Sequence, residues 1–244
     1  FHNPDWEVNL WMPKIRYSGP LVWEKNEFIP PHALSYNDID YFNHDYLENE
    51  LGINIKNIDY FDLGLTENCN EILKSDIFRW KTLSEVGGVW SDLDILFVNQ
   101  IEKTDFEKYG SEFHDLTTVV SQYQKPLPQD EDVINFYYIG FLMSSPNNIF
   151  YKIMYEHSSK NLDPTSYQGV GGDLMKKHFG LYDNIKNIVN HTNYANLDIS
   201  SVYSYWWVDL KDLYTKPLEE DIHNFVTTNN NVVGYHWFRG VHLS

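Results

Sequence analysis

The stretch KSDIFRWKTLSEVGGVWSDLDILFV, from Lys74 to Val98, decides how this chain folds. Its first half contains no Gly or Pro and spaces its apolar residues as a helix does, so it predicts the second part of a helix. Gly87 stands where a helix needs a left-handed residue to end. The apolar run from Ile95 to Val98 predicts a strand. Asp92 and Asp94 lie between the glycines and this strand, and their closeness raises the question of what they bind.

The remainder of the chain alternates between strand and helix patterns. Strands are predicted in WEVNLWMP, IKNIDYFDL, VWSDLDILFV, LTTVVSQY, VINFYYIGFLMSS, DNIKNIVNH and NNVVGYHWF. Helices are predicted in SYNDIDYFNHDYLENEL, NEILKSDIFRWKTLSEV, NNIFYKIMYEHSS, where Pro146 would stand in the first turn, and GVGGDLMKKHF. This alternation indicates an α/β fold with a largely parallel or mixed sheet. Because no internal repeat or low-complexity linker is visible, residues 1–244 are expected to form one domain.

The composition limits the classes of partner. A net charge of −17 argues against nucleic acid and anionic membrane surfaces as partners, because both would repel the chain. An anionic ligand would need a bridging divalent cation. The aromatic share of 16% suits core packing and also a ligand that stacks on rings, such as a sugar or a base. One cysteine, no apolar run long enough to span a membrane and no signal peptide at Phe1 favour a cytoplasmic location.

Asp76 and Arg79 share one helical stripe with Ile72 and Leu83. One interpretation is a surface or half-buried ion pair between positions i and i+3. The other is that both side chains face a polar ligand, since the guanidinium fork and the carboxylate together match the vicinal hydroxyls of a sugar. The residues alone leave both interpretations open.

Asp92 and Asp94 would point to the same face of a strand, and at a strand end or in a turn they can converge on one point. Two carboxylates held close repel each other unless a cation lies between them. Their oxygens suit Mg²⁺ or Mn²⁺, with water and substrate phosphates completing the shell. The alternative is a pair of solvated aspartates in a β-turn, since an isolated DXD triplet often occurs by chance.

The residues around this triplet, taken in their order along the chain, resemble the signature of the DXD-motif glycosyltransferase sugar-binding family. That family includes the yeast-type initiating mannosyltransferases, capsular-polysaccharide transferases and, more distantly, the clostridial toxin glucosyltransferases. The residues that carry the resemblance are Ser75, Asp76, Arg79, Gly87, Gly88, Trp90, Asp92 and Asp94. Weaker similarities extend over NPDWEVNLW, GFLMSSPNNIFYKIM, YQGVGGDLM and GYHWF.

The resemblance implies a GT-A fold, a single Rossmann-like mixed sheet flanked by helices, whose usual first strand would lie upstream of Phe1. It also implies a retaining hexosyltransferase that uses Mn²⁺ or Mg²⁺ to move a sugar from a UDP- or GDP-sugar to a glycan or protein acceptor. The alternative is a catalytically silent sugar-binding or structural module that keeps the fold. Hydrolysis of nucleotide-sugars with and without Mn²⁺ would separate the two.

The resemblance also implies roles for individual residues. Asp94 would ligate the metal directly, and Asp92 would reach the metal or the ribose through water. His236 would complete the metal shell or touch the phosphates, although a lone histidine is more often structural. Asp76 and Arg79 would hold the hydroxyls of the donor sugar.

Three further residues are implied on the substrate side. Gly172 lies in the glycine-rich segment that resembles the family's acceptor side. Asp173 in the same segment would face the reacting carbon or the acceptor, with a helix N-cap as the alternative. Trp237 would stack on a sugar or base, with core packing as the alternative.

Overall fold

The computed structural model of the chain describes residues 4–15, 44–66, 69, 71–101, 118–125, 134–163, 169–180, 194–203 and 232–236. Their strands are β1 (Asn9–Pro13), β2 (Asn54–Ile58), β3 (Gly88–Ser91), β4 (Ile95–Phe97), β5 (Thr118–Lys125), β6 (Ile134–Ser144), β7 (Tyr194–Asn196) and β8 (Gly234–His236). Their α-helices are α1 (Glu71–Glu85), α2 (Ile149–Lys160) and α3 (Gly172–Phe179). Short helical turns occupy Tyr46–Glu50, Tyr60–Leu63 and Ile199–Ser201. The α/β class expected from the sequence is therefore confirmed.

Within these residues the strands form three hydrogen-bonded sheets. The largest has the order β3-β6-β5-β7, in which β6 is antiparallel to both β3 and β5, while β5 is parallel to β7. A parallel pair joins β1 to β2, and an antiparallel pair joins β4 to β8. Strand pairing is mixed, as expected, but the described strands do not confirm one continuous Rossmann-like sheet.

The helix α1 is buried around most of its circumference. Leu73, Ile77 and Trp80 are fully buried in a core that also includes Phe150 of α2 and Met175 of α3. A helix this enclosed derives its stability from packing on several faces rather than from one amphipathic stripe. Its polar residues, including Asp76 and Arg79, are therefore carried into the interior.

Gly87 ends α1 as predicted. Its φ is 74°, in the left-handed region, and its amide donates to the carbonyl of Thr82. A Cβ at this position would lie 2.6 Å from the backbone nitrogen of Pro146. The glycine is thus required both by the turn and by the close passage of the segment that precedes α2.

One predicted helix begins at a different residue, and another lies partly outside the described residues. Pro146 precedes α2 instead of standing in its first turn, because Asn148 is the N-cap and its side chain accepts from the amide of Tyr151. The helix predicted from Ser35 lies partly outside the described residues. Where it is described it ends in the π-helical turn Tyr46–Glu50.

Two predicted strands have different bounds. The strand expected from Trp6 to Trp11 in WEVNLWMP forms at Asn9–Pro13, so Pro13 is its last residue. IKNIDYFDL leaves the strand at Ile58 and continues as a 3₁₀ turn, Tyr60–Leu63. Asp59 makes this change, because its side chain accepts from the amide of Phe61 and caps the turn. The strand predicted in DNIKNIVNH lies outside the described residues. In the part of the chain that the structure describes, no helix is long and apolar enough to cross a membrane.

Candidate functional site

Asp92 and Asp94 lie in the turn that carries the chain from β3 to β4. The amide of Asp92 donates to the carbonyl of Gly140 at 2.7 Å, and the amide of Ile95 donates to the carbonyl of Asp92 at 3.3 Å. β3 belongs to the four-stranded sheet, whereas β4 pairs with β8. The two aspartates therefore lie just after the end of β3, where the chain leaves one sheet and enters another. This agrees with the expected position at a strand end or in a turn.

The pairing of β4 with β8 brings His236 to the aspartates. Ile95 is the register partner of His236, and the imidazole Nε2 lies 3.2 Å from Oδ1 of Asp94. The His236 side chain is 11% exposed and that of Asp94 is 24% exposed. The amide of His236 donates to the carbonyl of Val202, which anchors β8 beside the turn. The expectation that His236 reaches Asp94 is met.

Asp92, Asp94 and His236 form a cluster that could hold a metal ion. Each offers one ligand atom, and these atoms all lie within 4.8 Å of one another. The ligand atoms around an octahedral ion with metal–oxygen distances of about 2.1 Å lie about 3 to 4.2 Å apart. Small side-chain rotations would therefore bring these three atoms to the spacing that one ion needs. Two carboxylate oxygens and one imidazole nitrogen could ligate a divalent cation and would leave positions for water or phosphate.

Arg79 ties α1 to this turn. Its Nη2 lies 3.3 Å from Oδ1 of Asp76 and 3.1 Å from Oδ1 of Asp92, while Nη1 donates to the carbonyl of Ile139. The guanidinium also lies over the ring of Trp90, 4.9 Å from its centroid. The ion pair considered from the helical spacing is present, but it is buried rather than on the surface and it includes Asp92. The role of Asp76 and Arg79 toward a sugar stays a prediction.

An irregularity in β6 supplies the backbone groups for these contacts. Val119 of β5 pairs with Met143, yet Ser121 pairs with Tyr138, so β6 carries extra residues opposite Val120. Ile139 and Gly140 lie in this bulge, and their carbonyls accept from Arg79 and from the amide of Asp92. Bulges often redirect backbone groups next to functional sites in this way.

The glycine-rich loop before α3 closes over Asp76. A Cβ at Gly171 would lie 2.6 Å from Oδ2 of Asp76 and 2.8 Å from Cδ1 of Ile139. The indole N–H of Trp80 donates to the carbonyl of Val170 at 2.7 Å and holds the loop against α1. Only a residue without a side chain allows the loop to pass this close.

Burial perturbs Asp76 strongly. Desolvation is the main cause that raises the pKa of this carboxyl from 3.8 to about 7, with Arg79 lowering it and Asp92 raising it. The neutral form is therefore substantially populated near pH 7. An ionisable group of this kind in a buried polar network is typical of functional sites, although structural ion pairs produce the same shift.

The structure adds two residues that the sequence did not single out as site residues. The indole N–H of Trp90 donates to Oδ1 of Asp92 at 2.9 Å. The ring of Tyr203 stacks on Tyr138 at 4.3 Å and lies 5.2 Å from the His236 ring. Trp90 could have been identified from the sequence, because it is an aromatic residue two positions before the first aspartate. Tyr203 had none, because only the tertiary fold brings it to the site.

The substrate-side residues have separate outcomes. Asp173 is exposed in the first turn of α3, whose N-cap is Gly171, so the N-cap alternative for Asp173 is wrong. Gly172 is buried at the first position of the helix. Their roles toward a substrate remain predictions. Trp237 lies outside the described residues.

Residues 1–111 match the model of a protein family described as the glycosyltransferase sugar-binding region containing the DXD motif. This confirms the family resemblance over the part of the chain that holds Asp76, Arg79, Asp92 and Asp94, while the subtype within the family is not decided. No curated protein and no solved structure matches the chain. The function class that the match supports is sugar binding or sugar transfer.

Proposed function

We propose, from the match of residues 1–111 to this glycosyltransferase region, that the chain is a metal-dependent retaining glycosyltransferase. Its donor would be a UDP- or GDP-sugar and its acceptor a glycan or a protein. The observation that carries the proposal is the convergence of Asp92, Asp94 and His236 within 4.8 Å, because His236 stands 142 positions after Asp94 and outside the matched region.

The acidity of the chain is consistent with this function. A protein of net charge −17 would repel the diphosphate of a nucleotide-sugar. A bound Mn²⁺ or Mg²⁺ supplies positive charge toward that diphosphate and toward the charge that develops on the leaving nucleotide. Asp94 and His236 would hold the ion, and Asp92 would ligate it directly or through water.

Arg79 is suited to hold and orient the donor. Its Nε is buried and has no hydrogen-bond acceptor among the described residues, whereas Nη1 and Nη2 are engaged. A buried donor without an acceptor is costly unless a ligand satisfies it. A hydroxyl oxygen of the donor sugar would provide that acceptor. Asp76, partly neutral near pH 7, could either accept from or donate to a second hydroxyl.

One observation favours the alternative, a catalytically silent module that keeps the fold. The side chains of Asp76 and Arg79 are only 3% and 4% exposed, so a sugar can reach them only if the loop at Gly171 moves. In a transferase this movement would accompany donor binding. In a silent module the loop would stay closed, and metal and nucleotide would bind at the aspartates alone.

The deciding experiment compares Asp94→Asn with the wild-type chain on a panel of nucleotide-sugars, with and without Mn²⁺. We expect wild type to hydrolyse or transfer at least one donor in a Mn²⁺-dependent manner and Asp94→Asn to lose this turnover. The unfolding transition should be retained, because a partly exposed carboxylate contributes little stability. Asp62→Asn, which alters an exposed carboxylate of the 3₁₀ turn, is the matched control.

The outcomes separate the two functions. Binding of a nucleotide-sugar by wild type without any turnover would establish the silent module. Wild-type turnover in Asp94→Asn would remove this residue from the metal site.

A further inference from the structure

Two hydrogen-bond donors from different elements converge on one oxygen of Asp92. Nη2 of Arg79, from α1, lies 3.1 Å from Oδ1, and Nε1 of Trp90, from β3, lies 2.9 Å from the same atom. A carboxylate oxygen offers about two acceptor positions. These two donors therefore fill the acceptor capacity of Oδ1, while neither of them uses Oδ2.

The indole of Trp90 is held rigidly enough to direct this bond. The guanidinium of Arg79 lies over its ring, and Phe78 packs edge-on against it with ring centroids 6.1 Å apart. Phe78 is in turn packed edge-on against Trp11 at 4.9 Å. A donor fixed by contacts with α1, of which Phe78 is itself packed against Trp11 of β1, keeps its direction when the aspartate side chain would otherwise rotate.

The space beside Oδ2 is kept open by a glycine. An ideal Cβ at Gly140 would lie 3.0 Å from Oδ2 of Asp92 and 3.0 Å from the hydroxyl oxygen of Tyr203. A side chain at this bulge position would therefore press on Oδ2 and turn the carboxylate. The local structure thus holds one oxygen by hydrogen bonds and leaves room around the other.

We propose that Trp90 is a positioning residue for the metal site. With Arg79 it occupies Oδ1 of Asp92, so that Oδ2 is the oxygen presented to the cation or to its water shell. This inference rests on the proposed function and extends it, because it assigns Asp92 a single ligating oxygen and assigns the selection of that oxygen to an indole N–H. Partners that orient a metal ligand in this way commonly change metal affinity 10- to 100-fold when they are removed.

The test measures Mn²⁺ binding to the full chain without substrate, from the electron paramagnetic resonance signal of free Mn²⁺. Trp90→Phe keeps an aromatic ring under Arg79 but removes the N–H donor together with part of the volume of the indole. We expect its Kd for Mn²⁺ to rise about tenfold or more. Trp11→Phe makes the same substitution in the same aromatic group without a contact to Asp92, and its Kd should stay within about twofold of wild type.

A second measurement distinguishes positioning from a general loss of structure. In an Asp92→Asn background, Trp90→Phe should cause no further change in Kd, because the carboxylate oxygen that it orients is already absent. An equal loss in both backgrounds would overturn the proposal, since Trp90 would then act by another route. An unchanged Kd for Mn²⁺ in Trp90→Phe, with wild type binding Mn²⁺, would also overturn this proposal but would leave the proposed function intact. Failure of wild type to bind Mn²⁺ would overturn the metal site and this inference together.

Discussion

Replacing Arg79 with methionine should destabilise the chain by an amount that depends on pH. Arg79 is 4% exposed and contacts two carboxylates, one carbonyl and one indole. Methionine fills much of the same volume but removes the charge. Breaking a buried ion pair by removing one partner costs about 3–5 kcal/mol, and we expect a loss in this range at pH 8.5, where Asp76 is mostly ionised.

The pH dependence follows from the raised pKa of Asp76. Because the folded value is about 7 and the ordinary value is 3.8, this carboxyl stabilises the fold most at low pH. That contribution is lost as the pH rises through 7, by about 4 kcal/mol in total at 1.36 kcal/mol per pKa unit. Arg79 lowers the pKa of Asp76, so its removal should raise this pKa above the wild-type value. The stability of the variant should therefore keep falling above pH 7, where the contribution of Asp76 in wild type has levelled off.

The assay is chemical denaturation followed by tryptophan fluorescence at pH 5.5, 7 and 8.5, without added metal. At pH 5.5 the loss in Arg79→Met should be smaller than at pH 8.5, by on the order of 1–2 kcal/mol. Lys81→Met is the control, since Lys81 pairs with Glu85 on the exposed side of the same helix and should cost less than about 1 kcal/mol at any pH. An Arg79→Met loss equal at all three pH values would refute the idea that Arg79 stabilises the ionised form of Asp76.

Two further predictions concern the metal ligand and the loop. His236→Ala should raise the Mn²⁺ concentration needed for half-maximal binding about tenfold without lowering thermal stability greatly, because a lost imidazole ligand weakens the site; an unchanged titration would place His236 outside the metal shell. Gly171→Ala should cost about 1–3 kcal/mol of stability, because its Cβ would lie 2.6 Å from Oδ2 of Asp76. Denaturation of Gly171→Ala in an Asp76→Ala background should recover part of this loss, and a cost below about 0.5 kcal/mol in the single variant would contradict the close approach.

The sequence alone determined the elements that depend on local pattern. The helical spacing and absence of Gly and Pro predicted α1 almost to its ends, and Gly87 marked where it stops. The adjacency of Asp92 and Asp94 to a glycine turn predicted their convergence at a strand end. Resemblance to known glycosyltransferases then predicted the approach of His236, which spacing along the chain could not reveal.

Only the tertiary structure decided the environment of these residues. The helical spacing of Asp76 and Arg79 allowed a surface pair, and packing of α1 on several sides made it a buried one. The bulge at Ile139 and the close passage of Gly171 had no local signal, because each lies 60 or more positions along the chain from the α1 residue that it contacts, Arg79 or Asp76. Which carboxylate is desolvated, and which oxygen of Asp92 receives its donors, depends on groups that meet only when distant segments pack together, and the local chain pattern does not encode that packing.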